Sequence, residues 1–196
     1  MRYMGAKMYL RFDASFFLYA ALMVLVLPLD WLVSCVAAAI WHEVCHLIAI
    51  YCCTGKWQPV FAGAEKARIP LPVMSRGREL LCALAGPAGG LCLTLLAPWF
   101  PKLAICALIQ NLYNLLPVYP LDGGRVLWCL TDLLFSPAYT EYICEFIAAF
   151  CIGMLLAAGV FGTFCLHLGP IPVLFGLLIL LKSRKFPCNA RCLAVQ

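Results

Sequence analysis

Val36-Ala37-Ala38-Ala39-Ile40-Trp41-His42-Glu43-Val44-Cys45-His46-Leu47-Ile48-Ala49-Ile50 is an apolar run interrupted by two histidines and one glutamate. Ionisable groups are costly at membrane depth, and those found there usually face protein or water and mark a functional site. On a helix, residues four apart differ by about 40° around the axis and about 6 Å along it. His42 and His46 can therefore present their imidazoles to one ion. Glu43 is turned away from direct ligation but within reach of a water beside that ion. This is the HExxH pattern of zinc sites. The chain has 3 histidines, two of them inside the pattern, which favours a metal over a chance match.

The surroundings agree with a membrane helix. Of 196 residues, 65% are hydrophobic and 12% are charged, and the mean hydropathy is +0.95. A soluble domain carries roughly 25% charged residues. The reading is an all-α polytopic membrane protein forming one domain over 1–196, with its core at 14–182. The net charge of +5 is too small and dispersed to call for nucleic acid. The partner of the chain as a whole is the lipid bilayer.

Six apolar segments are read, at about 14–29, 31–53, 79–98, 102–118, 142–165 and 170–182. A span needs roughly 20 residues, so the first and last are short. An apolar run behind Arg2, Lys7 and Arg11 resembles a signal peptide. The cleavage-like Ala37-Ala38-Ala39, however, would sever the segment bearing the motif, so the run is taken as a retained anchor. Basic residues gather before the first segment, between the second and third (Lys56, Lys66, Arg68, Arg76, Arg78) and after the sixth (Lys182, Arg184, Lys185, Arg191). The positive-inside rule then places both termini and the 54–78 loop in the cytoplasm. The 119–141 stretch reads as a short connection on the same side.

Within the 54–78 loop, residues 57–61 and 67–71 read as two short extended pieces around a turn, a small β-hairpin whose prolines confine it to an edge. Such an edge could pair with an extended peptide, with Phe61 against it. The alternative is an irregular loop at the headgroup level. Most of the 13 cysteines lie in apolar runs, where a thiol packs as a small hydrophobe. Cys188 and Cys192 carry no flanking pattern of a metal or redox pair.

A catalytic zinc needs a third protein ligand. Cys45 shares the turn but would crowd the ion. His167 falls in an outer turn. The best candidate is Asp122 in Asn114-Leu-Leu-Pro117-Val-Tyr-Pro120-Leu-Asp122-Gly123-Gly124. Pro117 and Pro120 break the fourth helix, and broken helices at membrane depth line protein cavities. Asp122 equally fits the start of a new helix near Gly123.

HEVCH in a second span with NLLPVYPLDGG after a fourth resembles the site-2 protease family of intramembrane zinc metalloproteases, over about residues 14–182. The resemblance implies one Zn2+ held by His42, His46 and Asp122, with Glu43 as general base. It implies that Asn114 stabilises the oxyanion or orients the substrate, a membrane-associated protein or peptide. The proline-broken stretch, Pro117 and Pro120, is a further candidate for holding the opened substrate strand. Gly86-Pro87-Ala88-Gly89-Gly90 matches the family's small-residue motif, although many members have asparagine where this chain has Gly90. Close helix packing is the role expected there.

The layout is most similar to the stage IV sporulation protein FB branch, which activates a pro-sigma factor at a bacterial cell membrane. That branch carries a cytoplasmic CBS-type domain after the last span. Here only Lys182–Gln196 follow Leu181, so no separate regulatory domain is expected, and an inhibitory membrane partner stays open. The rival readings are a metal transporter using the same ligands without Glu43, and a catalytically silent scaffold.

Overall fold

The structure is a computed structural model that describes residues 10–12, 21, 23–25, 27–62, 67–68, 74–165, 167 and 169–183. Most of the expected first span, much of the 63–73 loop and the tail with Cys188 and Cys192 lie outside the described residues. The described elements are β1 (Leu10–Phe12), α1 (Leu29–Thr54), β2 (Val60–Ala62), β3 (Ala67–Arg68), α2 (Arg76–Thr94), α3 (Pro101–Asn114), α4 (Asp122–Leu134), α5 (Pro137–Phe164) and α6 (Ile171–Lys182). The chain divides into two compact units, Met1–Tyr113 and Asn114–Gln196.

In the first unit, α1 packs along α2. Pro28 precedes α1, and Gly55 ends it in the left-handed conformation (φ 69°), its N–H donating to the Tyr51 carbonyl. A glycine is the residue that adopts this conformation without penalty. The centre of the unit is small-residue packing: Ala38 of α1 against Cys106 and Ala107 of α3, flanked by Trp31, Cys35, Leu93 and Leu103. The Cys35 and Cys106 sulfurs are 3.1 Å apart as free thiols. At one end of α1 and α3, Lys102 pairs with Asp30, and its ammonium lies 5.8 Å from the centre of the Trp31 ring.

The loop after α1 holds β2 and β3 antiparallel, with Phe61 opposite Arg68 and Ala62 opposite Ala67. β1 joins β2 in parallel, with Leu10 opposite Val60 and Phe12 opposite Ala62. That pairing was not foreseen. It is long-range, a parallel pair whose crossover contains α1, so local sequence pattern carries no sign of it.

In the second unit, α4 packs on α5 and α5 on α6. The Thr131 hydroxyl of α4 lies 3.2 Å from the Cys144 sulfur of α5. Gly176 of α6 abuts Leu156 of α5. Stretch 119–141, read from the sequence as a connection, is largely the helix α4. Asp122, Gly123, Gly124 and Arg125 dilute its apolar signal, yet its buried residues Gly124, Trp128 and Thr131 follow the i, i+4, i+7 spacing of a half-buried helix.

α1 and α5 are long and apolar enough to cross a membrane, and only 28% and 22% of their apolar windows are buried by protein. The core helix of a soluble protein would be mostly buried. Apolar helices left largely uncovered are suited to lipid.

Candidate metal centre

His42 and His46 lie one turn apart on α1 and are 1% and 4% exposed. Their rings meet edge-on, at 82° and 4.8 Å between centroids, with the two Nε2 atoms 3.2 Å apart. The Nδ1 atoms decide what this contact means. His46 Nδ1 is 2.7 Å from the Cys82 carbonyl of α2. A carbonyl only accepts, so this nitrogen carries the hydrogen. His42 Nδ1 is 3.0 Å from Asn111 Oδ1. The Asn111 amide is oriented by its own nitrogen, which donates to the Ala107 carbonyl at 2.6 Å. Its oxygen therefore accepts from His42, and His42 also carries its hydrogen on Nδ1.

A neutral imidazole protonated at Nδ1 bears a lone pair at Nε2. Two such lone pairs facing each other over 3.2 Å suit a shared cation, either a proton or a metal ion. Zinc–imidazole bonds are about 2.05 Å, so one zinc bonded to both nitrogens would see them at about 100°, close to the tetrahedral angle. Acceptors that fix the tautomer and orientation are the usual support of metal-binding histidines. The pair fits a zinc ion.

The glycines of α2 make the approach of α1 feasible. A Cβ at Gly86 would lie 2.2 Å from His46 Nε2, and one at Gly89 would lie 2.2 Å from Cys45 Sγ. A Cβ at Gly90 would lie 2.2 Å from Asn111 Nδ2. Gly90 thus serves close packing, as the sequence suggested. Trp41 Nε1 donates to the Gly89 carbonyl at 2.9 Å, a further tie between the helices. Cys45 faces this packing surface. Glu43 follows His42 on α1 and is half-buried.

The second unit holds Asn114, Pro117, Pro120 and Asp122. α3 stops at Asn114, where the helix meets Pro117 and Pro120. Neither proline has an N–H for a helical ladder, and each disfavours helix in the residue before it. Asn114 is buried, and Pro117 and Pro120 are half-buried. The chain then makes two short turns, Val118 N–H to the Leu116 carbonyl and Leu121 N–H to the Val118 carbonyl. Gly123 and Gly124 let α4 begin directly against that stretch: a Cβ at Gly123 would lie 2.0 Å from the Leu115 carbonyl oxygen.

Asp122 sits in the first turn of α4, is 0% exposed and has Arg125 Nη1 3.9 Å from its Oδ1. A carboxylate in the first turn is favoured by the helix dipole. The residue before α4, Leu121, provides no side-chain cap. Phe61 belongs to β2. His167 is exposed, with a left-handed φ of 53°.

Asn111 and the Cys82 carbonyl were missed from the sequence. A carbonyl leaves no trace there. Asn111 does, as a polar side chain within the apolar 102–118 segment, a placement that itself points to function.

In three dimensions the chain is similar to the site-2 protease from Methanocaldococcus jannaschii, with a TM-score of 0.61 and 18% sequence identity over 91% of this chain and 92% of that one. No family model matches the sequence, and no curated protein does. At this identity the likeness shows the fold, which the chain shares with that protease.

Proposed function

We propose that the chain is an intramembrane zinc metalloprotease of the site-2 protease family, hydrolysing a peptide bond of a membrane-associated protein. The observation that carries this reading is the histidine pair of α1: two Nε2 atoms 3.2 Å apart, with each Nδ1 against a fixed oxygen. The shared fold supports it.

Asp122 is the third ligand. Its carboxylate is fully buried in the first turn of α4, and a carboxylate is the donor that two imidazoles need to complete a catalytic zinc set. Two imidazoles and a carboxylate are a ligand set of catalytic zinc sites, which keep a fourth position open. Bound there, zinc supplies Lewis acidity and lowers the pKa of water to near 7. Glu43 takes the proton of the attacking water and returns it to the departing amine. The Asn114 amide donates to the carbonyl oxygen as it gains charge. Pro117, Pro120 and Phe61 hold the substrate as an extended strand, which exposes a carbonyl that a helix would shield.

The protein forms a single multi-pass domain over 1–196 in a bacterial cell membrane, with its termini and the 54–78 loop in the cytoplasm. Its substrate is a regulator such as a pro-sigma factor of sporulation, as the charged loop and the Pro-Leu-Asp-Gly-Gly stretch suggest by resemblance. The test is co-expression with membrane-tethered candidate regulators. Wild type should cleave, and Glu43→Gln should not, while retaining zinc. Cleavage undiminished in Glu43→Gln refutes the mechanism. Metal flux that persists in Glu43→Gln favours a transporter.

A further inference from the structure

We infer that Asn111 is the positioning residue of the metal centre, the side chain that holds His42 in its metal-binding tautomer. The inference rests on the zinc reading above and concerns which group prepares the histidine for it. The two histidines are prepared differently. The acceptor of His46 is the backbone carbonyl of Cys82, which no side-chain substitution removes. The acceptor of His42 is an amide oxygen contributed by α3. Asn111 is therefore the replaceable part of the pair's support.

Asn111 is built for this contact. It is 1% exposed, so bulk water is poorly placed to stand in for its oxygen. The Ala107 carbonyl, one turn back on α3, takes a hydrogen bond from Nδ2 at 2.6 Å, which turns Oδ1 toward His42. Gly90 of α2 closes the remaining side. A Cβ there would lie 2.2 Å from Nδ2, 2.4 Å from Oδ1 and 2.6 Å from Cγ. The amide is thus fixed by a helix carbonyl on one side and by bare backbone on the other. Without Oδ1, the Nδ1–H of His42 would be a buried donor lacking this acceptor. The ring would then favour the other tautomer, with its hydrogen on the nitrogen that must bind metal.

The test uses the full chain purified in detergent and three variants. Asn111→Leu removes the acceptor while keeping the branching and number of heavy atoms. Asn111→Asp keeps an oxygen acceptor. Gly90→Ala leaves Asn111 in place but drives a methyl into its amide. Zinc affinity is read by competition with a chelator, ligand geometry by the visible spectrum of the cobalt(II) form, and the His42 tautomer by nitrogen-15 NMR of the histidine-labelled protein. Asn111→Leu and Gly90→Ala should each lose zinc affinity by about 10- to 100-fold, alter the cobalt spectrum and shift the His42 hydrogen from Nδ1. Asn111→Asp keeps the oxygen facing His42 but loses the donor to the Ala107 carbonyl, and should recover part of the affinity.

Zinc affinity and a cobalt spectrum like wild type in Asn111→Leu overturn the inference. So does His42 still protonated at Nδ1 in that variant, or an equal loss in Asn111→Leu and Asn111→Asp, which would mark Asn111 as packing alone. A wild-type chain that binds no zinc overturns the zinc reading and this inference with it.

Discussion

Gly86→Ala should disable the metal centre with one methyl group. The added Cβ would lie 2.2 Å from His46 Nε2, 2.6 Å from Cε1 and 2.7 Å from Cδ2. Carbon and ring atoms pack at about 3.5 Å or more, so the ring or the helix must retreat by about 1.3 Å. The ring is poorly placed to yield, since its Nδ1 is tied to the Cys82 carbonyl at 2.7 Å. Metal–ligand distances tolerate about 0.2 Å, several times less than this displacement. Overpacking of this kind costs about 1–3 kcal/mol. If that cost falls on metal binding, at about 1.4 kcal/mol per decade, zinc affinity drops roughly 5- to 150-fold.

The control is Gly77→Ala in the same helix, where an added Cβ meets nothing within 4 Å. It should leave zinc affinity unchanged and raise thermal stability slightly, by less than the ~1 kcal/mol that separates alanine from glycine inside a helix, because Gly77 lies in the first turn. Chelator-competition titrations and thermal unfolding of the detergent-purified variants read both effects. Equal zinc affinity in Gly86→Ala and Gly77→Ala refutes the assignment of His46 Nε2 as a ligand atom.

Asp122→Asn should abolish cleavage of a membrane-tethered reporter and weaken zinc binding at least about tenfold, since the ligand loses its charge; isothermal titration measures the binding. Glu43→Gln should lower cleavage by about 10²- to 10⁴-fold, the usual contribution of a general base, with zinc content by elemental analysis unchanged. Chelation should end cleavage in wild type, and added zinc should restore it. Lys102→Met should change stability by less than about 1 kcal/mol, because exposed ion pairs contribute little and both Lys102 and Asp30 are about half exposed; its unfolding midpoint should stay close to that of wild type.

The parts of the fold legible in the sequence are those fixed by local chemistry. The helix Leu29–Thr54 was legible as the apolar run read at about 31–53. The stop of α3 at Asn114 followed from Pro117 and Pro120, which have no N–H to offer a ladder. The pairing of His42 with His46 followed from helical periodicity alone. The misses have a physical reason as well. α4 was hidden because two glycines and two charges at its start interrupt the apolar run, although its inward face is regular. β1 pairs across 50 residues with β2, and no local pattern reports such a contact. Asn111 was passed over, although a polar side chain in an apolar segment is a signal, and its partner became identifiable only once α1 and α3 were seen side by side.

The bare backbone along α2 also fixes how that helix can be turned against its neighbours. Gly86, Gly89 and Gly90 lie against His46, Cys45 and Asn111 with no room for a single carbon. Turning α2 about its axis would replace one of these bare positions with the methyl of Ala85 or Ala88. α1 and α2 are therefore keyed together in a single rotational setting, and any change that turns one against the other displaces His46, Cys45 and Asn111 together.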